Sequence, residues 1–270
     1  MNFVYIRFVF KFLESPLTFQ PKLNHSMRTR HLMITITTGL ASLIIFSSCK
    51  KNNTPDIPDT PVSKCKLATA TDNVGHISNT FSYDESGRLI MLTHLSDYDP
   101  YTKHLSYKGD SIISYIDAGS NSSTDTIVLN SLGLISSDRQ VAGGGVQNAS
   151  YLYDGNGVLT SSSVGATNVD YTYTNGDNIY QRYTDNGNVA VDTISYYTDK
   201  PAVLTDYTGY TQFVLYGAYF LKNKHLTKSF RSGPNFNNYT YEFDANGNVT
   251  TLYSDFGIGK DTVHFTYTCP

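Results

Sequence analysis

The chain has 270 residues, with 20 Lys and Arg against 23 Asp and Glu. Five of the basic residues and one of the acidic residues precede Cys49, which leaves 15 against 22 and a net charge of −7 for the remainder. This acidic balance argues against a nucleic-acid partner. Glu occurs only three times whereas Tyr occurs 22 times, and such a composition favours strands and turns over helices.

The first distinctive segment is residues 27–48, which opens with Arg28 and Arg30, continues as the apolar stretch 32–46 and ends in small residues before Cys49. This order is typical of a bacterial secretion signal, and about 15 apolar residues are short for a membrane span of roughly 20. The segment resembles a lipoprotein signal of the Bacteroidota type. That resemblance implies a lipid on Cys49 and an outer-membrane lipoprotein of the cell envelope, with ordinary signal cleavage or an uncleaved anchor as the alternatives.

Two further segments are predicted to lie outside the folded part. Residues 1–26 fit neither a signal nor a folded element, and we interpret them as an upstream start-codon error ahead of Met27. Residues 49–64 contain three prolines among Asn, Thr and Asp, with almost nothing apolar to bury. We therefore expect them to form an extended tether, and residues 65–270 to form the folded domain.

Cysteine usage predicts one disulfide. Once Cys49 is assigned to a lipid, Cys65 and Cys269 remain, one at each end of the folded part. Export implies an oxidising compartment, in which two such thiols usually pair. The alternative is two unrelated free thiols, and a zinc or redox role has less support because the sequence contains no Cys-x-x-Cys.

Three segments of the chain are near copies of one another: residues 81–89, 151–159 and 241–249. Each has an aromatic residue, Asp, two residues, Gly, one residue and then an aliphatic residue, with the Asp and Gly positions at Asp84 and Gly87, Asp154 and Gly157, and Asp244 and Gly247. Weaker copies lie between them, so that anchor residues fall at positions 83, 107, 129, 153, 173, 197, 220, 243 and 267. A spacing near 23 residues indicates an internal repeat.

Each repeat predicts a β-hairpin, because Asp opens a turn through its own backbone and Gly takes the left-handed position that closes it. A unit of about 23 residues holds two strands of seven or eight residues. Nine units predict an all-β, antiparallel up-and-down meander of about 16 to 18 strands.

The disulfide and the strand count together predict closure of the sheet. In an open sheet of this size Cys65 and Cys269 would lie roughly 75 Å apart, whereas a disulfide needs Cα atoms within about 7 Å. We therefore expect the sheet to roll into a closed barrel, which also removes its edge strands. Strands rich in Tyr, Thr and Ser favour a water-facing exterior, and a membrane-spanning barrel is the alternative.

The repeat unit resembles the Tyr-Asp (YD, Rhs-type) repeat, and residues 65–270 are similar to Bacteroidota lipoproteins that are built from such repeats and likened in fold to porins. This resemblance implies a porin-like architecture and carries over no catalytic residue.

The sequence offers little catalytic chemistry, and no cofactor or metal is predicted. In residues 244–248 the glycine comes fourth rather than sixth, which favours a turn over a calcium loop. The histidines form no pair at metal-ligand helical spacing. Asp97 and Asp99 lie in the one loop that combines paired carboxylates with aromatic residues, and an exposed turn explains them as well as a ligand contact does.

These features predict a non-enzymatic protein, attached to the membrane by its lipid, with a binding or structural role in the envelope and a glycan or an envelope protein as partner. One alternative is a glycan- or lipid-processing enzyme whose site joins Asp97 or Asp99 to a carboxylate of another loop. The other is a carrier of hydrophobic ligands, which requires an open apolar lumen.

Overall fold

The structure is a computed structural model that describes residues 65–72, 77–97, 99–257 and 259–270. The predicted segments 1–26, 27–48 and 49–64, with Cys49, lie outside the described residues. The described chain contains one α-helix, α1 (Tyr207–Tyr216), a 3-10 turn (Gly119–Asn121) and these strands: β1 (Lys66–Asp72), β2 (Ile77–Tyr83), β3 (Leu89–Ser96), β4 (Tyr101–Lys108), β5 (Ser111–Asp117), β6 (Ser123–Leu129), β7 (Ile135–Ala142), β8 (Gly145–Tyr153), β9 (Leu159–Val164), β10 (Thr167–Thr174), β11 (Asp177–Asp185), β12 (Asn188–Pro201), β13 (His225–Ser232), β14 (Asn235–Phe243), β15 (Val249–Asp255) and β16 (Lys260–Thr268).

The strands form a closed barrel in which each strand pairs with its neighbours in the chain and β1 pairs with β16. All the pairs are antiparallel, and at the seam Ala70 lies opposite Phe265. The predicted up-and-down meander, its closure and the lower of the predicted strand counts are confirmed.

The connections alternate between the two rims of the barrel. One rim, which we call the motif rim, carries both ends of the folded chain and the connections 84–88, 109–110, 130–134, 154–158, 175–176, 202–224 and 244–248. Eight of the nine anchor positions lie at the motif-rim ends of the even-numbered strands: Tyr83, Tyr107, Leu129, Tyr153, Tyr173, Tyr197, Phe243 and Tyr267. The repeat of the sequence is therefore the hairpin of the barrel.

The ninth anchor, Phe220, marks the place where the repeat prediction is wrong. The turn predicted at residues 197–201 is absent because β12 continues through it, and residues 202–224 form one long connection that contains α1. Neither 197–201 nor 220–224 contains the glycine that adopts positive φ in the other turns, such as Gly157 at 78°. Without that residue the chain has no means of closing a tight hairpin there.

Side chains alternate between the two faces of each strand, as the pleat requires. Inward-facing Leu92, Ile127 and Tyr239 are fully buried. On the outer face, hydroxyl groups pair across neighbouring strands in the pairs Thr69–Thr266 at 2.7 Å, Ser150–Ser163 at 2.9 Å and Ser195–Ser229 at 2.6 Å. The large apolar side chains that are more than half exposed lie on several different elements: Leu95, Leu132, Val146, Leu152 and Val189.

The seam of the barrel carries a disulfide between Cys65 and Cys269, which are separated by 204 positions in the chain and lie with their Cα atoms 4.1 Å apart. The two cysteines flank β1 and β16 at the motif rim. The predicted disulfide is present, and it joins the two ends of the barrel where the first and last strands pair.

Candidate functional site

The motif turns fold in one common way. The carboxylate of Asp154 accepts hydrogen bonds from the backbone N–H groups of Asn156 and Val158, each at 2.9 Å, and the backbone N–H of Gly157 donates to the Asp154 carbonyl. Asp244 accepts in the same way from Asn246 and Asn248. Hydrogen bonds from backbone N–H groups hold the pKa of Asp154 below its usual range. In each of these turns, one carboxylate oxygen accepts two backbone hydrogen bonds within the turn itself.

The tyrosines of the repeat have a structural task that sequence reasoning missed. Four anchor tyrosines, and Tyr196 beside a fifth anchor, donate their hydroxyls to a backbone carbonyl at or near the start of the preceding strand: Tyr83 to Leu67 at 2.8 Å, Tyr107 to Leu89 at 2.8 Å, Tyr153 to Ile135 at 2.5 Å, Tyr196 to Asn178 at 2.7 Å and Tyr267 to Val249 at 2.7 Å. In four of these pairs the tyrosine follows its acceptor by 18 residues. That constant spacing is the signal in the sequence from which the contact could have been inferred.

Residues 202–224 enter the barrel from the motif rim, and we call them the plug. Asp206 caps the N-terminus of α1, where its carboxylate accepts from the backbone N–H of Gly209 at 2.5 Å. Gly217 ends the helix with φ of 64°, and its N–H donates to the Phe213 carbonyl. Burial raises the pKa of Asp206 to about 7 against the opposing effect of its hydrogen bonds.

Aromatic side chains of α1 pack against the barrel wall. Tyr207 stacks on Tyr239 with ring centroids 4.3 Å apart, and Tyr210 meets Phe265 edge to face at 5.2 Å. The hydroxyl of Tyr210 accepts from the side-chain amide of Asn79 at 2.7 Å. Because α1 contacts β2, β14 and β16 through these residues, it occupies the lumen at this level.

Gln212 holds the returning arm of the plug to the helix. Its side-chain carbonyl accepts from the backbone N–H groups of Phe220 and Leu221, at 3.0 and 2.8 Å. Its amide donates to the carbonyls of Thr208 and Leu221. One buried side chain thus satisfies backbone groups of both α1 and the returning arm, as a buried segment without regular structure requires.

A buried lysine holds the other end of α1. The ammonium group of Lys103, on β4, donates to the carbonyls of Val214 at 3.1 Å and Leu215 at 2.6 Å. Lys103 is 3% exposed, and burial lowers its pKa to about 8 against the attraction of Asp125 and Asp138. A cation at the C-terminus of a helix offsets the partial negative charge of its last carbonyls.

Two carboxylates accompany this lysine inside the barrel. Asp125 on β6 is 4% exposed, and burial raises its pKa. Burial and the nearby charge of Asp125 raise the pKa of Asp138, on β7, to about 7. One oxygen of each carboxylate is shielded from solvent and has no hydrogen-bond partner among the described residues. Both carboxylates attract the ammonium group of Lys103, which binds the C-terminal carbonyls of α1.

A cleft of about 200 Å³ lies beside the two arms of the plug. Its walls include Val203 and Leu204 on the entering arm and Tyr219, Leu221, Lys222 and Asn223 on the returning arm. The side-chain carbonyl of Asn223 accepts from the backbone N–H of Asn178 at 3.0 Å. Its NH₂ group is shielded from solvent and has no hydrogen-bond partner among the described residues.

The returning arm rejoins the barrel through Asp177. One oxygen of its carboxylate accepts from the backbone N–H groups of Lys224 and His225, at 2.9 and 2.8 Å. The other oxygen lies 2.6 Å from Nδ1 of His225. These contacts fix the position of Asn223, which directly precedes them in the chain.

The other candidate residues of the sequence lie elsewhere. Asp97 and Asp99 are in the β3–β4 connection, at the rim opposite the plug, and the side chain of Asp97 is exposed. No group of three His, Cys, Asp or Glu side chains within the described ranges could hold a metal ion. Nor do those ranges include a helix that is long and apolar enough to cross a membrane.

The fold defines the protein as a closed, sixteen-stranded antiparallel barrel with an internal plug. Two crystal structures of porin-like proteins share this fold. The protein from Bacteroides uniformis matches with a TM-score of 0.58 at 15% identity, covering 77% of this chain and 99% of its own. The protein from Bacteroides vulgatus matches with a TM-score of 0.51 at 15% identity, covering 75% and 98%.

The likeness to these structures confirms the porin-like fold that the resemblance implies. At this identity it concerns the fold alone. No protein-family model matches the sequence, and no curated protein matches it. Membership of a lipoprotein family with Tyr-Asp repeats stays a prediction.

Proposed function

We propose that the protein is a lipid-anchored protein of the bacterial cell envelope whose plugged barrel has a non-catalytic binding role. The observation that carries this proposal is the occupied lumen, in which α1 is held by aromatic contacts, Gln212 and Lys103. A barrel of sixteen strands otherwise encloses a wide channel. The helix occupies part of this lumen, which supports a role other than that of an open pore.

The outer face supports attachment through a lipid rather than through the barrel wall. A membrane-spanning barrel presents an apolar band about 25 Å tall to the lipid. Here the outer face presents hydroxyl pairs such as Thr69–Thr266 and Ser195–Ser229. A water-facing barrel needs a separate anchor, and the lipid predicted on Cys49 provides one.

The chemistry of the described residues favours binding over catalysis. The motif carboxylates accept hydrogen bonds within their own turns, and Lys103 and Asp125 are buried. The filled lumen also argues against a carrier of hydrophobic ligands, since such a carrier needs an empty apolar interior. The cleft beside the plug is the site that we assign to binding.

The test is expression of the full chain in a Bacteroidota host, with Cys49→Ala as the matched variant. We expect the mass of a lipid on Cys49, wild-type protein in the outer-membrane fraction and release of the variant into the soluble fraction. Purified wild-type protein should give no channel conductance in planar bilayers. Stable conductance, or a variant that stays in the membrane after a carbonate wash, would overturn the proposal.

A further inference from the structure

We infer that the motif rim of the barrel faces the membrane, and that basic side chains held over its aromatic anchors contact the phosphate groups of the lipid headgroups. This inference rests on the lipid anchor proposed above and goes beyond it. An anchor alone does not determine which surface of the barrel meets the bilayer, whereas the surfaces of the two rims do.

The folded chain begins and ends at the motif rim, where Cys65 precedes β1 and Cys269 follows β16. The predicted tether, residues 49–64, continues from Cys65 and would span roughly 20 to 50 Å, depending on its stiffness. Strands such as β1 and β8, with seven and nine residues, are about 23 to 30 Å long. A tether of this length allows either rim to reach the bilayer, so the orientation depends on what each rim presents.

The two rims differ in charge. The charge of each rim is defined here by side chains that are not buried and that lie in a connection or within three residues of one. The motif rim has six cations, Lys66, Arg88, Lys108, Lys200, Lys222 and Lys224, and seven carboxylates, Asp84, Glu85, Asp110, Asp154, Asp199, Glu242 and Asp244. The opposite rim has two cations, Arg231 and Lys260, and seven carboxylates, Asp72, Asp97, Asp99, Asp117, Asp185, Asp255 and Asp261. An anionic bilayer therefore repels the opposite rim more strongly than the motif rim.

Three of the carboxylates at the motif rim are directed at their own turns. Asp84, Asp154 and Asp244 each accept a hydrogen bond from a backbone N–H group four residues later. The partial positive charge of these N–H groups offsets part of the negative charge of each carboxylate. The cations of this rim are thus opposed less than their number alone indicates.

Three of the cations lie over anchor residues of the repeat. The distances from the cation to the ring centroid are 5.5 Å for Lys66 and Tyr83, 4.5 Å for Arg88 and Tyr107, and 5.4 Å for Lys200 and Phe243. The face of an aromatic ring attracts a cation at such distances, which keeps the cation at the level of the rim. Aromatic rings together with long basic side chains are typical of surfaces at a membrane–water interface.

Two of these cations have their charge available for a phosphate. Arg88 is paired with Asp84 at 2.7 Å. Among the described residues, no carboxylate oxygen lies within 4.0 Å of the ammonium group of Lys66 or Lys200. Lys66 is exposed and Lys200 is half-buried, so a headgroup that meets the rim can reach both.

The experiment measures the orientation of the full, lipidated chain in vesicles that contain phosphatidylglycerol. A fluorophore is attached either to Ser86→Cys, in the β2–β3 turn of the motif rim, or to Ala166→Cys, in the β9–β10 turn of the opposite rim; both positions are exposed. Energy transfer to an acceptor dye on the headgroups reports the distance of each label from the bilayer. We expect higher transfer from residue 86 than from residue 166, and a smaller difference at about 0.5 M salt, which screens the charges.

Lys200→Gln tests the contribution of one cation. The population with the motif rim toward the bilayer, relative to the opposite orientation, should fall about fivefold for each basic residue removed, and Lys66→Gln should add to the effect. Arg231→Gln is the matched control, because Arg231 lies over Phe236 at 5.1 Å at the opposite rim. This control should not lower that ratio. Circular dichroism and an intact Cys65–Cys269 disulfide establish that each variant is folded.

Equal transfer from the two labels, or higher transfer from residue 166, overturns the inference. An equal difference in vesicles of phosphatidylcholine alone, or an equal loss with Arg231→Gln and Lys200→Gln, overturns the phosphate contact. These results leave the lipid on Cys49 in place. A chain that carries no lipid and does not float with the vesicles overturns the proposed anchor, so the two failures are distinguishable.

Discussion

The wall of the barrel and its plug are stabilised by different means. In the wall, the same turn and the same tyrosine contact recur from hairpin to hairpin, as at Asp154 and Tyr153. In the plug, single side chains such as Gln212 and Lys103 each make contacts that occur once. Loss of one wall contact therefore leaves several similar contacts in place, whereas no other contact replaces one that is lost in the plug.

Loss of the seam disulfide should have the largest effect. The pair Cys65→Ser and Cys269→Ser frees a loop of 204 positions, for which the chain-entropy relation gives about 5 kcal/mol. We expect a correspondingly lower urea midpoint for the double variant, with the wild type under reducing conditions as its control. A loss below about 1 kcal/mol would mean that the hydrogen bonds between β1 and β16 close the barrel unaided.

Lys103→Met should destabilise the plug by about 3 to 5 kcal/mol, because it leaves buried carboxylates and helix carbonyls without their cation. Urea unfolding of this variant is compared with Lys108→Met, a surface change expected to fall within about 0.5 kcal/mol of wild type. Equal urea midpoints for Lys103→Met and Lys108→Met would contradict the stabilisation of α1 by Lys103. A second measure, hydrogen exchange in α1, should show faster exchange there than in β8 and β9.

Asp138 makes stability depend on pH in a stated direction. Its pKa in the folded protein is raised to about 7, so the folded state holds its proton more tightly than the unfolded chain does. The resulting stability is fully present below about pH 4 and is lost as pH rises toward 7. As pH rises from 4 to 7, we expect the free energy of unfolding of Asp138→Asn to increase by about 2 to 4 kcal/mol relative to that of wild type, as measured by urea unfolding across that range. If the difference in free energy of unfolding between the two proteins did not change with pH, the raised pKa of Asp138 would be contradicted.

Replacing the glycine of a motif turn by alanine should lower the free energy of unfolding by about 1 to 2 kcal/mol, because a residue with a side chain is strained in the left-handed conformation. Gly157 and Gly247 have φ of 78° and 81°. A Cβ at Gly157 meets only the far end of the exposed Leu132 side chain, and one at Gly247 meets nothing within 4 Å. Because Leu132 can turn away, thermal unfolding should rank Gly157→Ala and Gly247→Ala together. A much larger loss for Gly157→Ala would show that Leu132 is fixed.

The smallest effect is expected for a single tyrosine hydroxyl. Tyr107→Phe removes the donor to the Leu89 carbonyl and should cost about 1 kcal/mol. Tyr115→Phe, whose ring is exposed on the outer face, is the control and should leave the melting temperature unchanged. If the two variants melt together, the tyrosine contact adds little to the wall beyond its packing.

The wall could be predicted from the sequence because its causes are local and repeated. Asp, Gly and the aromatic anchor lie within a few residues of each other, and the two terminal cysteines require closure. The positions of Asp84 and Gly87 suffice to place one hairpin, and the same pattern then places others. Prediction succeeds here because each repeat supports the interpretation of the next.

The plug could not be predicted in the same way. The residues of α1 include Tyr, Thr, Phe and Val, whose intrinsic preference is for strands, and packing inside the barrel overrides that preference. The one local signal is Asp206, which lies where a helix cap belongs. The inward position of Lys103 could also have been inferred, since Lys103 shares one face of β4 with Tyr101, Leu105 and Tyr107. A lysine on a strand is ordinarily interpreted as solvent-exposed.

The pairing of β1 with β16 has a consequence for the order of the chain. Since the strands form a ring in which each one pairs with its chain neighbours, the positions of the termini are incidental to the fold. A chain joined from Cys269 to Cys65 and reopened at the tight turn of Gly143 and Gly144 would retain every strand pair and the plug. Evolution could therefore move the attachment point of such a barrel from one rim to the other by circular permutation, without redesigning a single contact in its interior.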